Sequence, residues 1–189
     1  MNRLTLPAYF LANKPLRKHI FTLLSFLITF CVLGLFHYEV MFHPNSFLLG
    51  DMVDGLKNYY TPLYHVYFDD GLSRFQGMNY PYGEQIVFAD AQPLLSNLIK
   101  LFSAVSDVRP YTVGILNFLM FLSIPTGALL LFLSFVKVHV NYSVSLLGSV
   151  FISLLTPQLY RFGGHFALSY SFVIPLFIWL YLRSKPSWL

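Results

Sequence analysis

The run Gly50-Asp51-Met52-Val53-Asp54-Gly55-Leu56-Lys57-Asn58-Tyr59-Tyr60-Thr61-Pro62 holds the densest polar chemistry in this chain of 189 residues. Asp51 and Asp54 stand three apart, so on a helix they share a face, with Asn58 one turn further along. The bracketing glycines permit a tight turn beside them. A carboxylate held this way can act as a general base, and Lys57 beside it can meet an anionic group. Either aspartate can instead cap a helix. A calcium site is a third use of such residues, but Asp51, Asp54 and Asn58 do not have the spacing of an EF-hand loop.

Further along, Thr61-Pro62 reads as an N-cap followed by proline at the first helical position. It predicts a short surface helix over Leu63–Phe68, with His65 as an interfacial polar residue rather than a ligand. The run from Phe75 to Glu84 is dense in Gly, Pro, Asn and Tyr, which make turns for specific backbone reasons. Its aromatic faces can wall a sugar or acceptor site, giving Asn58, Tyr59, Tyr80, Tyr82 and Glu84 as wall candidates. Over Gln92–Asp107 the residues Leu94, Leu98, Leu101, Phe102 and Val105 fall on one helical stripe, the pattern of a helix lying on a leaflet. Near the end, Arg161 and His165 stand four apart around Gly163-Gly164. They read either as an interface anchor or as a phosphate-recognition pair, with Lys57 and Arg74 as further phosphate candidates.

The elements that must carry these residues are membrane helices. The chain is 56% hydrophobic, 19% aromatic and only 11% charged, with a mean hydropathy of +0.61. A soluble domain carries about 25% charged residues. Disorder is excluded by the aromatic content, and an internal disulfide by the single Cys31. Four stretches approach the roughly 20 apolar residues that a crossing needs: Ile20–Tyr38, Tyr111–Val136, Val144–Tyr160 and Phe166–Leu182. None contains Asp, Glu, Lys or Arg. The expected fold is therefore an all-α integral membrane protein of four transmembrane helices, with amphipathic surface helices in a large first loop.

Arg3, Lys14, Arg17 and Lys18 precede the first span, which places a leader over residues 1–19 in the cytoplasm. Glu39–Pro110 then becomes the outer loop, 137–143 a cytoplasmic loop, Arg161–His165 a short outer loop and 183–189 a cytoplasmic tail. All eight Asp and Glu residues fall in that first outer loop. The long leader, with no small-residue cleavage site after the span, reads as a retained signal anchor.

This layout, with its "GDMVDGLKNYYTP", "GMNYPYGE" and "FADAQPL" runs, resembles the C-type (GT-C) polytopic membrane glycosyltransferases, and among them an uncharacterised bacterial group. The resemblance implies transfer of a sugar from a polyprenyl-phosphate donor to a glycan, lipid or protein acceptor at the outer face of a bacterial inner membrane. It implies a catalytic aspartate in the first outer loop, a position filled by Asp54 or Asp51, with Asp54 favoured by the Asp-Gly-Leu-Lys-Asn run. A divalent cation, Mg or Mn, is a cofactor option. Such enzymes have many more spans, so the chain, ending at Trp188-Leu189, is expected to be an amino-terminal portion or a reduced relative. The alternative is a non-catalytic polytopic protein in lipid-linked glycan transport or assembly. Nothing in the sequence supports soluble hydrolase, kinase or nucleotide chemistry: it has no Gly-x-Ser-x-Gly, His-Glu-x-x-His or phosphate-loop motif. The basic pI of 9.2 reflects topology and requires no nucleic acid.

Overall fold

The computed structural model describes residues 14–50 and 54–184 and is mostly helical. Its helices are α1 (Lys14–Phe36), α2 (Tyr38–Phe42), α3 (Asp54–Phe68), α4 (Pro93–Ser103), α5 (Thr112–Lys137), α6 (Tyr142–Leu154), α7 (Phe166–Ser169) and α8 (Val173–Ser184). Short 3-10 turns occupy Pro44–Ser46, Ile86–Phe88, Arg109–Tyr111 and Pro157–Gly163. One antiparallel ladder pairs β1 (Arg74–Phe75) with β2 (Glu84–Gln85).

Three segments are long and apolar enough to cross a membrane: Pro15–Phe36, Arg109–Lys137 and Tyr142–Gly163. The 26 residues of α5 reach about 39 Å, more than a hydrocarbon core of about 30 Å. The fourth apolar stretch corrects the expectation of one helix over Phe166–Leu182. There α7 ends at Ser169, Tyr170 leaves helical geometry at φ −72° and ψ 84°, and α8 begins only at Val173. A helix running through Pro175 would leave the Ser171 carbonyl without a donor. Starting at Val173 puts the proline in the first turn, where no helical N–H is used. Among the described residues there are thus three span-length segments, not four.

On α1 and α6 the burial pattern is inverted relative to helices of a water-soluble protein. On α1 the buried side chains include Ser25 and Thr29, while Leu23, Leu24, Leu27 and Ile28 are exposed. On α6, Ser145, Ser149 and Ser153 are buried, while Val144, Leu147, Phe151 and Ile152 are exposed. Small residues let helix backbones approach closely where the surroundings are as apolar as leucine. On α1 the hydroxyls are satisfied within the helix: Ser25 Oγ donates to the Thr22 carbonyl and Thr29 Oγ1 to the Ser25 carbonyl, each at 2.8 Å.

The contacts divide the chain into two compact units. The first takes the described residues of Met1–Phe36, Leu122–Thr156 and Ser171–Leu189. In it α1 packs on α6. The rings of Phe21, Phe132 and Tyr142 cluster at one end, with the Arg17 guanidinium over Tyr142 at 5.1 Å. The starts of α1 and α6 and the last turns of α5 therefore share a level, as alternating crossings require.

The second unit comprises His37–Phe121 and Pro157–Tyr170 and carries every sequence-derived candidate among the described residues. Its hub is Asn117, fully buried near the start of α5. The Asn117 amide donates to the Pro44 and Phe47 carbonyls, both at 2.7 Å, and its oxygen accepts from the Tyr59 hydroxyl. Asn45 adds bonds to the Pro110 carbonyl and the Gly114 N–H, each at 2.9 Å.

The α3 helix is continuous through Thr61-Pro62, correcting the expectation of a helix that starts there. Gly55, Asn58, Tyr59, Pro62, His65 and Val66 recur at helical spacing and are all buried, so one unbroken face packs inward and outweighs the local proline signal. Thr61 does not cap; its hydroxyl bonds back to the Lys57 carbonyl at 3.1 Å. His65 is likewise interior rather than interfacial, at 0% exposure. Its Nδ1 lies 2.8 Å from Asp69 Oδ2 and its Nε2 2.9 Å from Asn97 Oδ1. Asp69 Oδ1 accepts from the Gln76 N–H at 3.0 Å, and Asn97 donates to the Leu72 carbonyl at 2.8 Å. This buried network clamps α3 to α4 and to the turn between them. His65→Ala should leave Asp69 Oδ2 and Asn97 Oδ1 without their partner and destabilise the fold by about 1–3 kcal/mol per group so left. Thermal unfolding in detergent checks this, with exposed Asp70→Ala as a control expected to stay within about 0.5 kcal/mol.

Candidate functional site

The site forms where three backbone segments meet at the start of α3. A Cβ placed on Gly55 would lie 2.2 Å from Gly50 Cα and 2.8 Å from the Gly163 carbonyl oxygen. Only glycine at 50 and 55 lets these segments touch. Asn58 then ties them together, its amide donating to the Asp54 carbonyl and to the Gly164 carbonyl, both at 2.7 Å. The loop that carries Arg161 and His165 is thereby held against the first turn of α3. Within that loop the Arg161 carbonyl accepts from the His165 N–H at 2.9 Å, so the two residues bracket one tight turn.

Asp54 is the first residue of α3 and is exposed, where the helix N-terminus favours a carboxylate. Asp51 lies outside the described residues. Lys57 forms an ion pair with Asp90 at 2.8 Å. The bond from Asp90 raises the lysine above its ordinary value against some desolvation, and the charges of Asp90, Asp54 and Glu84 push the same way. Lys57 is therefore already partnered by a carboxylate. Arg161 and His165 are both exposed, and neither takes part in the ion pairs found among the described residues.

The far end of the same loop is anchored by the Tyr170 hydroxyl, which donates to Gln92 Oε1 at 2.5 Å. Gln92 holds a left-handed backbone at φ 47°, and Asp90 does so at φ 55°. The Asp90–Gln92 turn thus faces α3 through Lys57 and the Pro157–Tyr170 segment through Tyr170. Neither Asp90 nor Gln92 stood among the candidates, although both lie in the FADAQPL run. Their partners are 33 and 78 residues away, and no local spacing reveals that.

Two wall candidates prove to be interior. Tyr59 is 2% exposed, packs edge-on to Phe166 and accepts a bond from the Leu49 N–H at 3.0 Å. Burial pushes its hydroxyl up to about 12. Asn58 is also buried, with its amide fully engaged. Both lie on the inward stripe of α3, so neither can line an open site. Tyr80 and Tyr82 are open, at 92% and 82% exposure. They project from a turn built by its own polar groups: Arg74 donates to the Tyr82 carbonyl at 2.8 Å, and Asn79 donates to Glu84 at 2.7 Å. Arg74 and Glu84 therefore shape the turn that presents the tyrosines. Beneath it Phe75, Ile86, Ala89 and Ala91 form a small core with Tyr64 and Met78. Among the described residues no group of three or more His, Cys, Asp or Glu could hold a metal ion.

The model of the family described as "Domain of unknown function (DUF6311)" matches residues 23–189. The chain belongs to the DUF6311 family. The match takes in all three span-length segments apart from the first turns of α1, and both units of the fold. No curated protein and no solved structure matches the chain. The DUF6311 match spans Gly50, Gly55, Asn58 and Gly163-Gly164, so the crossing that builds the site lies inside the family's domain. Gly55→Ala should force the crossing apart, because the obstacles are backbone atoms. The expected result is a loss of at least about 1–3 kcal/mol in thermal stability, against little change for Gly71→Ala, where the added Cβ meets nothing.

Proposed function

We propose that this chain acts in membrane glycosyl transfer, taking a sugar from a polyprenyl-phosphate donor at the outer face of a bacterial inner membrane, with its amino terminus in the cytoplasm. The observation that carries this reading is the bond from Asn58 to the Gly164 carbonyl, which sets the carboxylate end of α3 beside the Arg161–His165 turn. A general base and an anion-binding pair are the two halves that such a transfer needs.

In this reading Asp54, or Asp51 beside it, accepts the proton of the acceptor hydroxyl. The acceptor oxygen bonds to the anomeric carbon as the bond from that carbon to the phosphate oxygen breaks. The electron pair leaves with the phosphate, and the Arg161 guanidinium with His165 stabilises the growing charge. Lys57, held by Asp90, keeps the carboxylate cluster from repelling an anionic donor. The exposed faces of Tyr80 and Tyr82 supply flat surfaces for the sugar or acceptor. A divalent cation would have to draw on Asp51 together with Asp54.

Membranes carrying the protein should consume a polyprenyl-phosphate sugar, and Asp54→Asn should lower that turnover by about 10²–10⁴-fold, the usual share of a general base. Unchanged turnover in both Asp54→Asn and Asp51→Asn would remove the proposed base. Orientation is read separately, in a Cys31→Ser background with an impermeant thiol reagent on intact spheroplasts. Tyr82→Cys should be labelled at once and Val138→Cys only after lysis; the reverse order rejects the topology.

A further inference from the structure

Helix α4 is amphipathic, but it packs the opposite way from a helix in a water-soluble domain. Its buried residues are Ser96 and Ile99, whereas Leu94, Leu98, Leu101 and Phe102 are 79%, 41%, 54% and 64% exposed. Val105, on the same stripe just beyond the helix, is 91% exposed. None of the stripe residues is charged, and the one charged residue of the helix lies on the other side. Lys100 turns inward, donating to the Asp69 carbonyl and, at 2.7 Å, to the Gly71 carbonyl. Burial lowers this lysine below its ordinary value, against the pull of Asp69 and Asp70.

We propose that α4 is an in-plane membrane foot, its Leu94–Val105 stripe seated at the boundary between headgroups and acyl chains. The occupant is lipid rather than protein on three grounds. At eleven residues, about 17 Å, α4 is too short to cross a bilayer but long enough to lie in its surface. It is followed within six residues by Arg109, which opens the 29-residue apolar segment Arg109–Lys137, so the stripe adjoins the point where the chain enters the membrane. The junction carries headgroup-level chemistry. Arg109 forks onto Asp107 at 2.7 and 3.0 Å and lies 5.5 Å from the Tyr67 ring centre. A protein partner would more readily be matched by charged or polar residues at the rim of the stripe.

The foot also positions α3. The bonds from His65 to Asn97 and from Lys100 to the Asp69 carbonyl join the two helices, so the depth of α4 in the leaflet fixes the depth of α3. This inference needs no sugar chemistry and stands apart from the proposed activity.

The test places a nitroxide on single cysteines at 94, 98 and 105, and at the exposed controls Asp70 and Gln85, in the Cys31→Ser chain reconstituted in lipid nanodiscs. Collision rates are measured with oxygen, which concentrates in lipid, and with a nickel chelate, which stays in water. The expected result is several-fold greater exposure to oxygen than to the chelate at 94, 98 and 105, and the reverse at 70 and 85. Dominant access of the chelate at the stripe overturns the proposal. Protection from both reagents also overturns it, because a protein surface would then cover the stripe.

Discussion

Asn117 is a fully buried amide that holds two backbone carbonyls and one phenol, and the geometry of the second unit depends on it. A polar group enclosed in such surroundings is best held by a partner within the chain, since an unpaired one costs about 1–3 kcal/mol. By gripping Pro44 and Phe47, Asn117 fixes the strand of chain that delivers Gly50 to the crossing. By receiving the Tyr59 hydroxyl, it also fixes the rotation of α3. That rotation turns Asn58 toward Gly164 and leaves Asp54 outside. The placement of one carboxylate is therefore settled by an amide 63 positions further along the chain.

The same rule explains the rest of the interior. Ser25, Thr29, Ser145, Ser149, His65 and Asp69 are all buried, a list that would be improbable at the centre of a soluble domain. Here the apolar residues are plentiful enough both to clothe the outside and to fill much of the interior, where small and hydrogen-bonded groups sit among Phe75, Leu116, Met120, Ile124, Phe132 and Phe166. Directional bonds then add specificity to the packing of hydrocarbon.

Much of this was legible from residue patterns, and the failures have definite causes. The long apolar runs that became α1 and α5 were plain because each carries its own periodic or continuous signal. The α4 stripe was equally plain, although the pattern alone does not say which way it faces. Thr61-Pro62 misled because local turn chemistry was read without the inward face of α3, which overrides it. Tyr59 was read as a wall residue because an aromatic residue in a polar run looks exposed, and only the distant Asn117 makes it interior. The break at Tyr170 was hidden inside an apolar stretch whose composition does not change across it. Asp90 and Gln92 needed contacts across tens of residues. Asp54, Arg161 and His165 stand out in the sequence by residue type and position, and the fold brings their two segments together through the close approach of Gly55 to Gly50 and Gly163.

The inward turn of Lys100 has a consequence for how this molecule would meet a bilayer. Peripheral surfaces usually combine apolar side chains with cations, and their hold weakens as salt screens the attraction to anionic lipids. Here the helix's only cation lies on the inward side, occupied by two main-chain carbonyls, and the exposed stripe is apolar. Attachment through such a face is set by area and temperature, and is indifferent to ionic strength and to the charge of the surrounding headgroups.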